Sequence, residues 1–208
     1  MVSPMVSVVD DDDNVRESLA ALLGSLQLDV QCYACPREFL NTYSPERPGC
    51  IVLDLRMPQL TGLEVIQELS RRRYHAPVIM ISGHGDIPAA VSAMKAGAVD
   101  FLEKPYRGTA LLEAVRRALE IDANNRKSHA NRDTLLARFR ALNEEERSVL
   151  ALTAEGKPDK AIAMKLDLSL RTIQLRRASV MQKMQARSRA ELIRLAHLIE
   201  QMLSQNSG

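Results

Sequence analysis

The sequence predicts an α/β domain built on a five-stranded, doubly wound parallel sheet, followed by an all-α domain of four short helices. Three observations carry this. Up to about residue 120, short apolar runs alternate with stretches of helical periodicity, the pattern of strands joined by crossover helices. From Thr109 to Glu155 there is neither Gly nor Pro, and beyond that stretch apolar residues recur only at helical spacing. Charge divides in the same place. Residues 1–120 hold 12 Lys and Arg against 16 Asp and Glu, a net of −4, whereas residues 121–208 hold 16 against 10, a net of +6. An acidic half joined to a basic half points to a polyanion as the partner of the second domain.

The first strand, Val6-Ser7-Val8-Val9, runs into Asp10-Asp11-Asp12-Asp13. Val15, Leu19, Leu22, Leu23 and Leu26 then follow at helical spacing. A second strand covers Asp29 to Tyr33. The third, Cys50-Ile51-Val52-Leu53, is a continuous apolar run, as a strand buried on both faces requires, and it ends on Asp54. Leu63, Ile66 and Leu69 mark the helix that follows. Val78-Ile79-Met80-Ile81 is the fourth strand and leads into Ser82-Gly83-His84-Gly85. Phe101-Leu102-Glu103-Lys104-Pro105 is the fifth, with Leu111, Leu112, Val115 and Leu119 on the helix after it. Gly24, Gly49, Gly62 and Gly97, with Pro45, Pro48, Pro58, Pro77 and Pro88, break the chain between these elements.

Residues 121–141 read as a helical linker, polar yet unbroken, although its Asn and Ser content also suits a flexible tether. The first domain therefore spans 1–120 and the second 142–208. In the second, Asn143 caps a helix whose first turn holds Glu144-Glu145-Glu146, and Gly156 stops it. A second helix from Asp159 to Lys165 carries Ala161, Ile162, Met164 and Leu166 as its apolar set. Asp167-Leu168 turns the chain, Ser169 caps a third helix to about Met184, and Ser188 caps a fourth with Leu192, Ile193, Leu195, Ala196 and Ile199.

Composition is that of an ordinary globular chain, 46% hydrophobic and 26% charged. No run approaches the roughly 18 apolar residues of a membrane span, and no basic segment followed by an apolar run opens the chain, so the expected setting is cytoplasmic, with no membrane partner. Cys32, Cys35 and Cys50 are an odd number, which suits reduced thiols. Cys32 and Cys35 match C-x-x-C, but they fall at the end of a strand and before Pro36, so structural thiols are the expectation.

The chemistry lies at the strand ends, because ligands of an open parallel sheet sit outside the carboxyl ends of its strands. Phosphoryl transfer to a carboxylate needs an oxygen nucleophile, a divalent cation and donors for the equatorial oxygens. Asp54, the single acid at the end of the third strand, is the candidate nucleophile. Asp10 and Asp11 would stand beside it as hard oxygen donors for Mg²⁺ or Mn²⁺. Ser82 supplies a hydroxyl and Lys104 a compact positive charge. Taken singly, Asp54 is an ordinary turn former and the Asp10–Asp13 run a solvated helix start. Asp12 and Asp13 are assigned to that helix start alone, and His84 to a loop.

In order and spacing, Val9-Asp10-Asp11, Asp54, Met57-Pro58 with Gly62, Ser82 and Lys104-Pro105 resemble the receiver domain of bacterial two-component response regulators, a flavodoxin-like fold. The stretch from Ser82 to Pro105 resembles the FixJ branch of the FixJ/NarL type. The resemblance implies that Asp54 accepts a phosphoryl group from a sensor histidine kinase, and that Asp10, Asp11, Asp54 and the backbone carbonyl of Arg56 hold Mg²⁺. It further implies that Ser82 and Lys104 bind the phosphoryl group while Phe101 rotates inward as a switch. Homodimerisation on phosphorylation, through the face near Pro88 to Asp100, is implied as well.

Leu166 to Met184 reads as the turn and second helix of a helix-turn-helix, whose opening turns meet DNA. Gln174 is able to read adenine, arginines guanine or phosphate, and Leu175 a thymine methyl. Arg171, Arg176, Arg177 and Lys183 are the expected phosphate contacts, with Thr172 beside them. Residues 142–200 resemble the LuxR-type DNA-binding domain through Lys160-x-Ile162-Ala163, Leu168-Ser169-x-x-Thr172-Ile173 and Val180-Met181-x-Lys183-Met184. Members commonly carry His where this chain has Arg176. The reading is a phosphorylation-dependent regulator of promoter DNA, with RNA polymerase among the partners it allows and no enzymatic turnover beyond its own phosphorylation and dephosphorylation. Two alternatives are a Mg²⁺-dependent aspartyl-phosphate phosphohydrolase and a receiver whose output domain does not bind DNA. The first places an acid/base carboxylate two residues after the nucleophile, where this chain has Arg56.

Overall fold

A computed structural model of the chain describes residues 3–83 and 87–205. His84 lies outside the described residues. The chain divides into two compact units, Met1–Arg126 and Lys127–Gly208.

The first unit alternates β1 (Met5–Val9), α1 (Asp13–Gly24), β2 (Asp29–Tyr33), α2 (Pro36–Thr42), β3 (Gly49–Asp54), α3 (Gly62–Arg71), β4 (Val78–Ser82), α4 (Ile87–Ala96) and β5 (Asp100–Glu103), then enters α5 (Gly108–Arg140). All neighbouring strands are parallel, in the order β2-β1-β3-β4-β5. Successive residues of each central strand face opposite sides, so the two faces bury separate cores. Val9, Ile51, Leu53 and Met80 pack with Val65, Ile66 and Leu69 of α3 on one side. Val6, Val8, Val52, Ile79 and Ile81 pack with Leu19 and Leu23 of α1 and Leu111, Ala114 and Val115 of α5 on the other.

Asp12 caps α1 by accepting from the backbone N–H groups of Asn14 and Val15. Thr61 and Glu64 form a reciprocal capping box at the start of α3. There Gly62 is needed for close approach, because a Cβ would lie 2.5 Å from the Asp54 carbonyl oxygen and 2.8 Å from Met80 Sδ. Leu26 departs from the expected periodicity. The helix ends at Gly24, Gln27 turns the chain at a φ of 59°, and Leu26 is exposed. α2 and α4 left little trace in the sequence, since α2 is a helix of only seven residues and α4 buries only Ala93.

The second unit contains the end of α5 and then α6 (Glu144–Ala154), α7 (Asp159–Leu166), α8 (Leu170–Met184) and α9 (Arg189–Gln205). α6 opens with a capping box between Asn143 and Glu146. α7 ends on Asp167 in the left-handed conformation, and Ser169 caps α8 by accepting from Thr172 N–H. Met164 was expected in the apolar set of α7 but is 86% exposed. Ile162 and Ala163 take the buried face, and two positions from Ile162 at about 100° each carries Met164 to the opposite side.

Candidate functional site

Strand register builds the first site. Val9 pairs with Leu53, so Asp10 emerges beside Asp54. Asp54 pairs with Ile81 and Ser82 with Glu103, which brings Ser82 and then Lys104 to the same carboxyl edge of the sheet. The Lys104 N–H also donates to the Ser82 carbonyl at 2.8 Å. Lys104 Nζ lies 2.7 Å from Asp10 Oδ2 and 2.7 Å from Asp54 Oδ1, so one ammonium holds both carboxylates. The second oxygen of Asp54 accepts from Arg56 N–H at 2.7 Å. Asp10 Oδ1 accepts from Asp12 N–H at 2.9 Å, and Arg16 donates to the Asp10 carbonyl at 2.7 Å.

Asp10, Asp54 and Ser82 are all buried. Burial pushes the Asp54 carboxyl up, against the opposing pull of the Lys104 and Arg56 hydrogen bonds. For Lys104, burial works to lower the pKa, but the hydrogen bonds to Asp10 and Asp54 outweigh it and the net shift is upward. One cation shared by two buried acids explains both directions, since Lys104 gains two partners while Asp54 holds only a share of one.

Asp11 stands apart. Its side chain is exposed and makes no hydrogen bond or ion pair among the described residues. Among those residues no group of three or more His, Cys, Asp and Glu side chains assembles a metal cage. Phe101 is half-buried on β5, opposite Met80 and against the α3-side core. Two participants left no periodic signal: Arg16, which braces the Asp10 loop and pairs with Asp13, and Tyr106, a half-buried phenol whose pKa burial raises. Cys32 is exposed on β2 and its thiol pKa is raised, first by desolvation, while Cys35 Sγ approaches Gln59 Oε1 at 3.7 Å.

The second site is the exposed side of α8. Arg171, Gln174 and Leu175 are exposed, and the Thr172 hydroxyl meets that of Ser169 at 2.7 Å. The remaining cations on this helix carry ion pairs. Arg176 pairs with Glu145 at 2.6 Å, Arg177 with Asp159 at 2.8 Å and Lys183 with Glu146 at 2.7 Å. Glu146 is buried, and its other oxygen accepts from Ser179 Oγ at 2.7 Å. The Lys183 hydrogen bond chiefly holds its carboxyl down at about 2. These acids on α6 and α7 were not singled out as partners in the sequence, because they meet α8 across 18 to 37 residues.

Comparison with known proteins finds a family match within each unit. Residues 6–116 match the response regulator receiver domain, and residues 140–196 match the bacterial regulatory proteins of the luxR family. The chain is 46% identical over 193 residues to the transcriptional regulatory protein FixJ of Azorhizobium caulinodans, covering 93% of this chain and 92% of that protein. It is 42% identical over 196 residues to FixJ of Rhizobium meliloti, covering 94% and 96%. Among solved structures, response regulator StyR superposes with a TM-score of 0.86 at 41% identity, over 94% of this chain and 99% of that one. Full-length FixJ from B. japonicum superposes with a TM-score of 0.58 at 39% identity, over 95% and 97%.

A receiver fold followed in the same chain by a helix-turn-helix domain defines a phosphorylation-dependent transcriptional regulator of a two-component system. The chain belongs to the response regulators that join a receiver to a LuxR-type domain, and within them it is similar over most of its length to FixJ.

Proposed function

We propose that Asp54 accepts a phosphoryl group from a sensor histidine kinase, and that this controls dimerisation and promoter binding by the LuxR-type domain. The observation that carries the reading is the position of Lys104, one ammonium within 2.7 Å of both Asp10 and Asp54 at the carboxyl edge of the sheet. In the transfer, a carboxylate oxygen of Asp54 forms a bond to phosphorus as the bond from phosphorus to the kinase histidine nitrogen breaks. The electron pair stays on the imidazole.

The residues present suit Mg²⁺ or Mn²⁺. Asp10 and Asp54 are hard oxygen donors that already converge on one positive charge; they would hold the cation with the Arg56 carbonyl, and the exposed Asp11 would have to turn toward it to join them. Such a cation, when bound, neutralises charge on the nucleophile and the phosphoryl oxygens. Lys104 then turns from the carboxylates to a phosphoryl oxygen, Ser82 donates its hydroxyl to another, and Phe101 follows by rotating into the core. The Arg56 N–H keeps the Asp54 carboxylate oriented. Arg56 offers no carboxylate for acid/base work two residues after Asp54, so Asp54 takes part in its own phosphorylation and dephosphorylation without turnover of an external ester.

Ile87, Val91 and Met94 are exposed apolar residues of α4, and they support a homodimer formed through the α4 and β5 face. A dimer matches paired operator half-sites, where Arg171, Thr172, Gln174, Leu175, Arg176, Arg177 and Lys183 lie on or beside the contact surface and RNA polymerase is a further partner. No helix among the described residues is long and apolar enough to cross a membrane, and the cytoplasm is the proposed setting.

The test compares wild type with Asp54→Asn for affinity to promoter-containing duplex DNA, before and after a small phosphodonor with Mg²⁺. Tighter binding in wild type alone is expected; equal response of the two proteins refutes Asp54 as the switch.

A further inference from the structure

Helical geometry separates the residues of α8 into three sectors. At about 100° per residue, Ile173, Val180 and Met184 share one direction, and all three are buried. Arg176 and Lys183 fall on one flank, where Glu145 and Glu146 of α6 hold them, and Arg177 is turned to Asp159 at the start of α7. Arg171, Gln174, Leu175, Ala178 and Gln182 occupy the sector opposite the core, within an arc of about 100°, and every one of them is exposed.

The outward face is therefore poor in charge, although the helix is basic. Arg171, in the first turn, is the cation on that arc, and it has no ion-pair partner among the described residues. The arc runs from an amide, Gln174, at one edge to Leu175, 64% exposed, at the other, with Ala178 between them, one turn from Gln174. In the major groove a carboxamide pairs bidentately with adenine N6 and N7, whereas apolar groups contact the C5-methyl of thymine. Guanine is read mainly by Arg or Lys.

Building on the DNA-binding reading above, we infer that α8 recognises A·T base pairs, with Gln174 on an adenine edge and the Leu175–Ala178 pad on a thymine methyl. Arg176, Arg177 and Lys183 serve the helix through their ion pairs and carry no base recognition. An exposed leucine at the middle of a basic helix otherwise has no packing role, and a methyl-lined groove is the surface that buries it.

The experiment selects binding sites for the full-length protein from a randomised duplex pool, with a small phosphodonor and Mg²⁺ present. Selection is repeated with Gln174→Ala and Leu175→Ala. Both positions are exposed, and an unchanged unfolding midpoint verifies that the variants are folded. The base pairs at which each variant loses preference are expected to be A·T pairs. Replacing thymine by uracil at the Leu175-sensitive position removes one methyl and is expected to weaken wild-type binding about fourfold, while leaving Leu175→Ala unaffected. Sensitive positions that prove to be G·C pairs, or uracil substitution without effect in wild type, overturn the inference alone. Failure of wild type to enrich any duplex at low salt overturns the DNA-binding reading on which it rests.

Discussion

The ammonium of Lys104 lies 2.7 Å from the carboxylate of Asp54, a residue 50 positions earlier in the chain. The same nitrogen holds Asp10, 94 positions away, so a single cation compensates two buried acids. Lys104→Met keeps the aliphatic stem but leaves those acids facing each other. In metal-free buffer the variant is expected to lose roughly 3 kcal/mol, the scale of a broken buried ion pair. Mg²⁺ is expected to restore more stability to the variant than it adds to wild type. Urea unfolding with EDTA and with Mg²⁺ measures both, and a loss that Mg²⁺ does not diminish contradicts the arrangement.

Asp54 costs stability when ionised. Burial raises its pKa, so the folded chain takes up a proton more readily than the unfolded chain. For an acid shifted in this direction the penalty is fully present above the folded pKa and fades as pH falls through it. Without Mg²⁺, Asp54→Asn is expected to be the more stable protein at neutral pH, with the gap closing on acidification. Thermal unfolding of both proteins across the acid range decides this; a variant that melts lower at neutral pH refutes it.

Glu146 behaves in the opposite sense. The Lys183 hydrogen bond leads in depressing its carboxyl from 4.5 to about 2. Its contribution is present above the unfolded value and disappears as pH falls from about 4.5 toward about 2. Glu146→Gln is expected to cost roughly 1–3 kcal/mol at neutral pH, because Lys183 and Ser179 lose a charged acceptor. The loss should be localised to the second unit, and the variant should lack that part of the acid sensitivity. Amide exchange in α6 and α8 at neutral pH is the direct measurement.

Asp122 and Arg126 tie the middle of α5 to the loop before β3. Buried Asp122 accepts from Gly49 N–H at 2.9 Å and from Arg126 Nε at 2.8 Å, while Arg126 donates to the carbonyls of Pro45, Glu46 and Arg47. Arg126→Ala leaves those carbonyls without this donor and buried Asp122 with the Gly49 N–H alone on Oδ2. A loss of roughly 2 kcal/mol is expected, with faster amide exchange at residues 45–49 and 122–126. Unchanged exchange in the 45–49 loop rules this clamp out.

The amount legible in the sequence differed between the two levels of the problem. The five strands showed because each central one is buried on both faces and so reads as a run of Val, Ile, Leu and Met. Helix starts at Asn143 and Ser169 showed because capping is a local exchange between residues three apart. Met164 and Leu26 were misplaced for a related reason. Periodicity counts apolar residues, yet it does not say where a helix ends or which of two neighbouring arcs faces the core. Arg126 and Asp122 gave no signal at all, since a polar pair on a polar helix looks like solvated surface until the loop it grips is in place.

By itself the sequence determined the α/β and all-α halves, the caps, and which chemically active residues end the strands. In a parallel sheet all carboxyl ends collect along one edge, so knowing the strands is enough to gather Asp10, Asp54, Ser82 and Lys104 there. Only the tertiary structure decided how those side chains divide their charges. It set Lys104 between Asp10 and Asp54, left Asp11 in solvent, and paired Arg176, Arg177 and Lys183 with acids on other helices. The physical reason is range. Caps and strand patterns depend on neighbours in the chain, whereas an ion pair forms between groups that folding brings within about 4 Å, whatever their separation in sequence.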